Sequence, residues 1–116
     1  MHTKKNNKLN QEEMLTFIKD ILDEILELLQ REISDRKVEE ICNEIDDIVL
    51  EIDVILRNNM KGDIKKIITG LQNCFDLLKR YHDSHLIVVL KEYEYDLLTN
   101  KLKVFEEGID ELIDML

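Results

Sequence analysis

Apolar residues recur in this chain at alternating steps of four and three along nearly its whole length, and no proline interrupts them. That spacing places them on one face of a helix, so each segment must bury a stripe against another. Met14, Ile18, Ile21, Ile25 and Leu28 form the first stripe, widened by Leu15, Leu22, Leu26, Leu29 and Ile33. A second runs through Ile41, Ile45, Ile48, Ile52 and Ile55, flanked by Val38, Cys42, Val49 and Leu56. The third comprises Ile64, Ile67, Ile68, Leu71, Cys74, Phe75, Leu78 and Tyr81.

Punctuation residues separate these stripes. Asn10, with Glu13 three residues on, predicts a capped start for a helix running to about Glu32. Ser34 and Asp35 open the second helix, which ends near Asn58-Asn59, and Gly62-Asp63 supplies a turn and the next N-cap. Gly70 falls inside the third helix, a position suited to a close helix-helix contact. Elsewhere the absence of alanine predicts wide spacing filled by Leu and Ile.

Asp83-Ser84 reads as the start of the last helix. Leu86, Val89, Leu90, Tyr93 and Leu97 then form one stripe, and Leu102, Phe105, Ile109, Leu112 and Leu116 another. The two meet out of phase near Thr99-Asn100, which predicts one continuous or kinked helix, or a split there. The segment HLIVVLKEYEYDLL also has strand character, but a lone strand lacks a partner. The expected architecture is all-α: an antiparallel up-down four-helix bundle whose last helix is the longest. Residues 1–9 are expected to be a flexible basic tail, and 10–116 a single domain.

Charge limits the partners such a bundle would take. The net charge is −10 over 116 residues, with 36% of residues charged. This disfavours nucleic acid and anionic membrane as partners, and no apolar run approaches a membrane span. A cytoplasmic location is the expectation, and the residue usage suggests an AT-rich, bacterial coding genome. The acidity is uneven. Segments 10–33 and 34–59 each carry −5 and segment 83–116 carries −6, whereas 60–82 carries +3. Lys61, Lys65, Lys66, Lys79 and Arg80 therefore make the third helix basic, either as counter-charge to its neighbours or leaving the acidic faces to a basic partner.

Catalytic chemistry finds little support. A di-metal bundle site needs Glu-x-x-His, which does not occur. His82 and His85 form an H-x-x-H pair that would hold a divalent metal only with a further ligand from elsewhere. Cys42 and Cys74 fall on apolar stripes, as small buried hydrophobes do. The three glycines form no phosphate-binding loop, and no nucleophile-base constellation is present. No enzyme activity and no cofactor are expected.

What remains is an interaction role. Glu92, Glu94, Tyr95, Asp96, Glu106 and Asp110 on the last helix are the candidate contact residues, with Tyr95 read as an exposed aromatic flanked by acids and Tyr93 as facing inward. The expected function is a non-enzymatic protein-protein module: an adaptor, an inhibitor or a small export-type chaperone for a basic or helical partner. The alternative is a self-associating, coiled-coil-like structural protein, such as a homodimer, because heptad spacing serves an intermolecular seam equally well.

Overall fold

The computed structural model describes residues 10–31, 36–84, 87 and 90–116. These hold four helices: α1 (Gln11–Gln30), α2 (Arg36–Arg57), α3 (Ile64–Asp83) and α4 (Glu92–Asp114). Each helix packs on its neighbours in sequence, α1 also packs on α4, and the backbones of the diagonal pairs stay further apart. The result is a four-helix bundle with one closed ring of contacts. The tail at residues 1–9 and the start residues Ser34 and Asp35 lie outside the described residues.

The stripes become the core with few exceptions. Ile41, Ile45, Ile48, Ile52 and Ile55 are all buried, as are Met14, Ile18, Ile21, Ile25 and Leu28. Phe105 is fully buried and meets the half-buried Phe75 edge-to-face, with ring centroids 5.7 Å apart, a geometry that aligns the ring quadrupoles favourably. Both cysteines are buried and free. Burial pushes the Cys42 thiol up to about 11 and the Cys74 thiol up to about 12, so neither is a ready nucleophile.

Leu and Ile do fill the interior, but two glycines bring helices closer than that alone would allow. A Cβ on Gly70 would stand 2.8 Å from Ile48 Cδ1, and one on Gly108 would stand 3.1 Å from Ile18 Cγ1. Gly70 thus marks the α2–α3 approach and Gly108 that of α1 and α4.

The helix ends follow local chemistry. The Asn10 side chain accepts a hydrogen bond from the Glu13 N–H at 2.8 Å, and Asp63 accepts one from Lys66 N–H at 3.1 Å. Each satisfies one donor that the first turn leaves unpaired. At the end of α2 the chain turns through Asn59 and Met60, with φ of 54° and 67°. The Met60 N–H reaches the Ile55 carbonyl and the Asn59 N–H reaches Leu56, the pairing of a Schellman cap. Gly62 does not have a positive φ; its side is occupied instead by Ile55, 3.0 Å from where a Cβ would be.

The start of the last helix departs from the expectation. Asp83 is the final residue of α3, not a cap for α4. Ser84 closes that helix, its hydroxyl donating to the Arg80 carbonyl at 2.7 Å. Residues 84–91 connect the helices. Ile87 lies outside any helix, yet its side chain is buried in the core. At 23 residues α4 is scarcely longer than α2 at 22, and it runs unbroken through Thr99 and Asn100.

The phase of α4 explains this. Leu98, Leu102, Phe105, Ile109 and Leu112 face the core, and extending that line back by one helical step reaches Glu94, not Tyr93 or Leu97. Tyr93 and Leu97 therefore face outward, and the apparent slip disappears because neither belongs to the core line of α4. Two consecutive left-handed residues at the α2–α3 turn give a direct test. Asn59→Gly should raise stability by up to about 1 kcal/mol, while Asn59→Val should lower it by about 1–2 kcal/mol; urea denaturation of both variants measures the difference.

Candidate interaction surface

The residues named on the last helix separate into three environments. Glu94 is only 5% exposed. Its Oε2 pairs with the Arg31 guanidinium at 2.6 Å, and its Oε1 accepts the Lys91 N–H at 3.2 Å. Arg31 is the C-cap of α1, and Glu94 lies in the first turn of α4. Each charge thus sits at the helix end whose dipole favours it. Glu94 ties the bundle together and is not open to a partner.

Tyr95 is likewise occupied. Its ring stacks on His82 at a centroid distance of 4.5 Å, and its hydroxyl donates to the His82 carbonyl. The reading of Tyr95 as an exposed contact aromatic is thereby corrected, and Tyr93, expected inside, is the exposed tyrosine at 59%. The physical reason is the same helical phase that buries Glu94.

His82 completes this cluster. Its Nε2 lies 2.7 Å from Thr99 Oγ1, whose own hydroxyl donates to the Tyr95 carbonyl at 2.9 Å. Its Nδ1 lies 3.1 Å from Asp83 Oδ1. That hydrogen bond, with Lys79 at 3.3 Å, holds the Asp83 carboxyl below its ordinary range. Both ring nitrogens are therefore engaged, Nε2 in joining α3 to α4 and Nδ1 within the last turn of α3. His85 lies outside the described residues, and among the described residues no three His, Cys, Asp or Glu side chains gather as a metal site.

Glu92, Asp96, Glu106 and Asp110 are exposed. Glu106 and Asp110 face α3, lining a shallow groove with Gln72, Asn73 and Asp76. A different groove, of about 430 Å³, opens between α2 and α3, where Leu50, Val54, Ile55 and Ile67 meet Lys66 and Asp63.

A line of exposed apolar residues follows the α1–α4 seam, crossed between Leu97 and Val104 by the Lys101–Glu24 ion pair. Tyr93, Leu97 (43% exposed) and Val104 (37%) share one side of α4, and Phe17 (40%) on α1 continues it beside Gly108. The two helices run antiparallel here: Arg31 meets Glu94, Glu24 pairs with Lys101, and Ile18 meets Gly108. Exposed acids border the line on both flanks. Glu13, Asp20, Glu24 and Glu27 stand on α1, and Asp96, Glu107 and Glu111 stand on α4. Of these, only Glu24 has an ion-pair partner among the described residues.

Among the described residues, no basic side chain of α3 or of the turn before it forms an ion pair with a neighbouring helix. Lys61, Lys65, Lys66, Lys79 and Arg80 are exposed, and Lys79 pairs only with Asp83 of its own helix. Inter-helix ion pairs come instead from Lys19 to Asp53, Arg31 to Glu94 and Lys101 to Glu24. Sequence reasoning missed these because net charge per segment conceals single bases within acidic helices.

No protein-family model, curated protein or solved structure matches this chain. No helix among the described residues is long and apolar enough to cross a membrane.

Removing Arg31 would leave the buried Glu94 carboxylate with one backbone donor. Arg31→Met should cost about 1–3 kcal/mol, and Glu94→Gln in the same background should recover part of that loss; a chemical-denaturation cycle of the single and double variants measures both.

Proposed function

We propose that this chain is a non-enzymatic protein-protein interaction module that works through its acidic helical surface. The observation that carries this reading is the α1–α4 seam. Tyr93, Leu97, Val104 and Phe17 remain exposed along this seam although Leu98, Leu102, Phe105, Ile109 and Leu112 of α4 and Leu15, Ile18, Leu22 and Ile25 of α1 are buried. Scattered exposed apolar residues need no explanation, but apolar residues aligned along one seam and rimmed by charge suit a contact surface. The side chains that chemistry would need are otherwise engaged: Glu94 and His82 hold helices together, and the thiols are buried. An adaptor, an inhibitor and a small export-type chaperone all fit a surface of this kind.

The reading predicts that a photoreactive benzoylphenylalanine at position 97 captures a defined protein in living source cells, whereas the same group at the exposed position Asn43 on α2 does not. Equal, diffuse labelling from both positions would reject it.

Self-association is the second reading, and the observation favouring it is the α2–α3 groove, where Leu50 is 60% and Val54 48% exposed. It requires mass to rise with concentration in sedimentation velocity. A monomer at every concentration eliminates it.

A further inference from the structure

We propose that the α1–α4 seam receives a basic amphipathic helix from another protein, an assignment of partner class that rests on the interaction reading above. Shape and charge lead to the same occupant. Tyr93 and the level of Phe17, beside Gly108, are fifteen residues apart along α4, about 22 Å of helix at 1.5 Å per residue. A helix of four to five turns covers that length. Its own apolar stripe, at steps of three and four, would meet Tyr93, Leu97, Val104 and Phe17 in turn, in the helix-in-groove mode. Gly108 is buried against Ile18 and Phe17, so α1 and α4 approach closely at this end of the line and hold Phe17 beside the α4 backbone.

The flanks select the charge of the occupant. Asp20 and Glu27 on one side, and Asp96, Glu107 and Glu111 on the other, have no ion-pair partner among the described residues. Lys101, the base nearest the line, is already bound to Glu24. Lys or Arg on both shoulders of an incoming helix would meet these carboxylates, with their stems lying along the apolar line. A second copy of this chain would bring the same two acidic flanks to the interface, and like charges placed opposite each other oppose that pairing. The α2–α3 groove lacks this selectivity, since Lys66 lines it together with Glu51 and Asp63.

The test uses the full chain and three 18-residue fluorescent peptides of defined composition. One carries Leu at steps of three and four with Lys on both shoulders. The second replaces each Lys with Glu, and the third keeps the Lys but replaces each Leu with Ser. Anisotropy titration should show one-to-one binding of the Lys/Leu peptide only, weakening about tenfold between 50 and 300 mM salt. Leu97→Asp with Val104→Asp should weaken it a further tenfold or more, and so should Glu107→Lys with Glu111→Lys, whose side chains are exposed and leave the core intact. Thermal melts of each variant establish that it is folded.

Equal binding of the Lys/Ser peptide would mean diffuse charge attraction and would overturn the proposal. So would binding of the Glu/Leu peptide, or an affinity unchanged by both variant pairs. A wild-type dimer that Leu97→Asp dissociates would assign the seam to a second copy and overturn it as well. Specific capture from position 97 without peptide binding sinks the helical, basic occupant alone. Absence of specific capture sinks the interaction reading beneath it.

Discussion

Removal of four apolar stripes from water is the constraint on which the rest of this structure depends. Each stripe is too wide for a two-stranded seam, so no pair of helices can bury both of its members. Four helices in a closed ring solve the problem, and the phase of each follows from its stripe. For α4 the solution has a cost. The line through Leu98, Leu102 and Phe105 leads back to Glu94, so a carboxylate enters the boundary of the core. Arg31 and the Lys91 N–H meet it there, which makes this ion pair a consequence of the hydrophobic register. Removing either partner leaves the other without its counter-charge, and for the buried carboxylate that is the costly case.

Much of the fold was legible because three stripes are regular and their caps unambiguous. Asn10 and Asp63 cap helices as their side chains dictate, and the isoleucines of α2 are buried without exception among those expected. Legibility failed between Asp83 and Lys91. An Asp-Ser pair serves a helix start or a helix end with equal chemistry, and here the Ser84 hydroxyl returns to the turn behind it. Once the start of α4 moved to Glu92, Tyr93, Glu94, Tyr95 and Leu97 changed their expected faces. Tyr93 and Tyr95 exchanged roles for that reason alone.

The surface was legible only in part. Segment charges identified α1, α2 and α4 as acidic, but they did not reveal which acids stand beside exposed apolar groups. That depends on the antiparallel register of α1 and α4, set by Gly108 against Ile18 and by Lys101 against Glu24. Sequence periodicity within one helix carries no information about register between two. His82 shows the same limit from the other side. As half of an H-x-x-H pair it suggested a metal ligand, whereas its contacts with Thr99 and Tyr95 make it a fastening between α3 and α4.

The ring of contacts has a kinetic side. Three of its four helix pairings join elements adjacent along the chain, and such local pairings form at low entropic cost. The pairing of α1 with α4 alone requires the chain to close over nearly its full length. This makes it the natural candidate for the last step of folding and the first of unfolding. Any molecule lying across both helices at that junction would act as a latch on it, lengthening the lifetime of the folded chain without touching the interior.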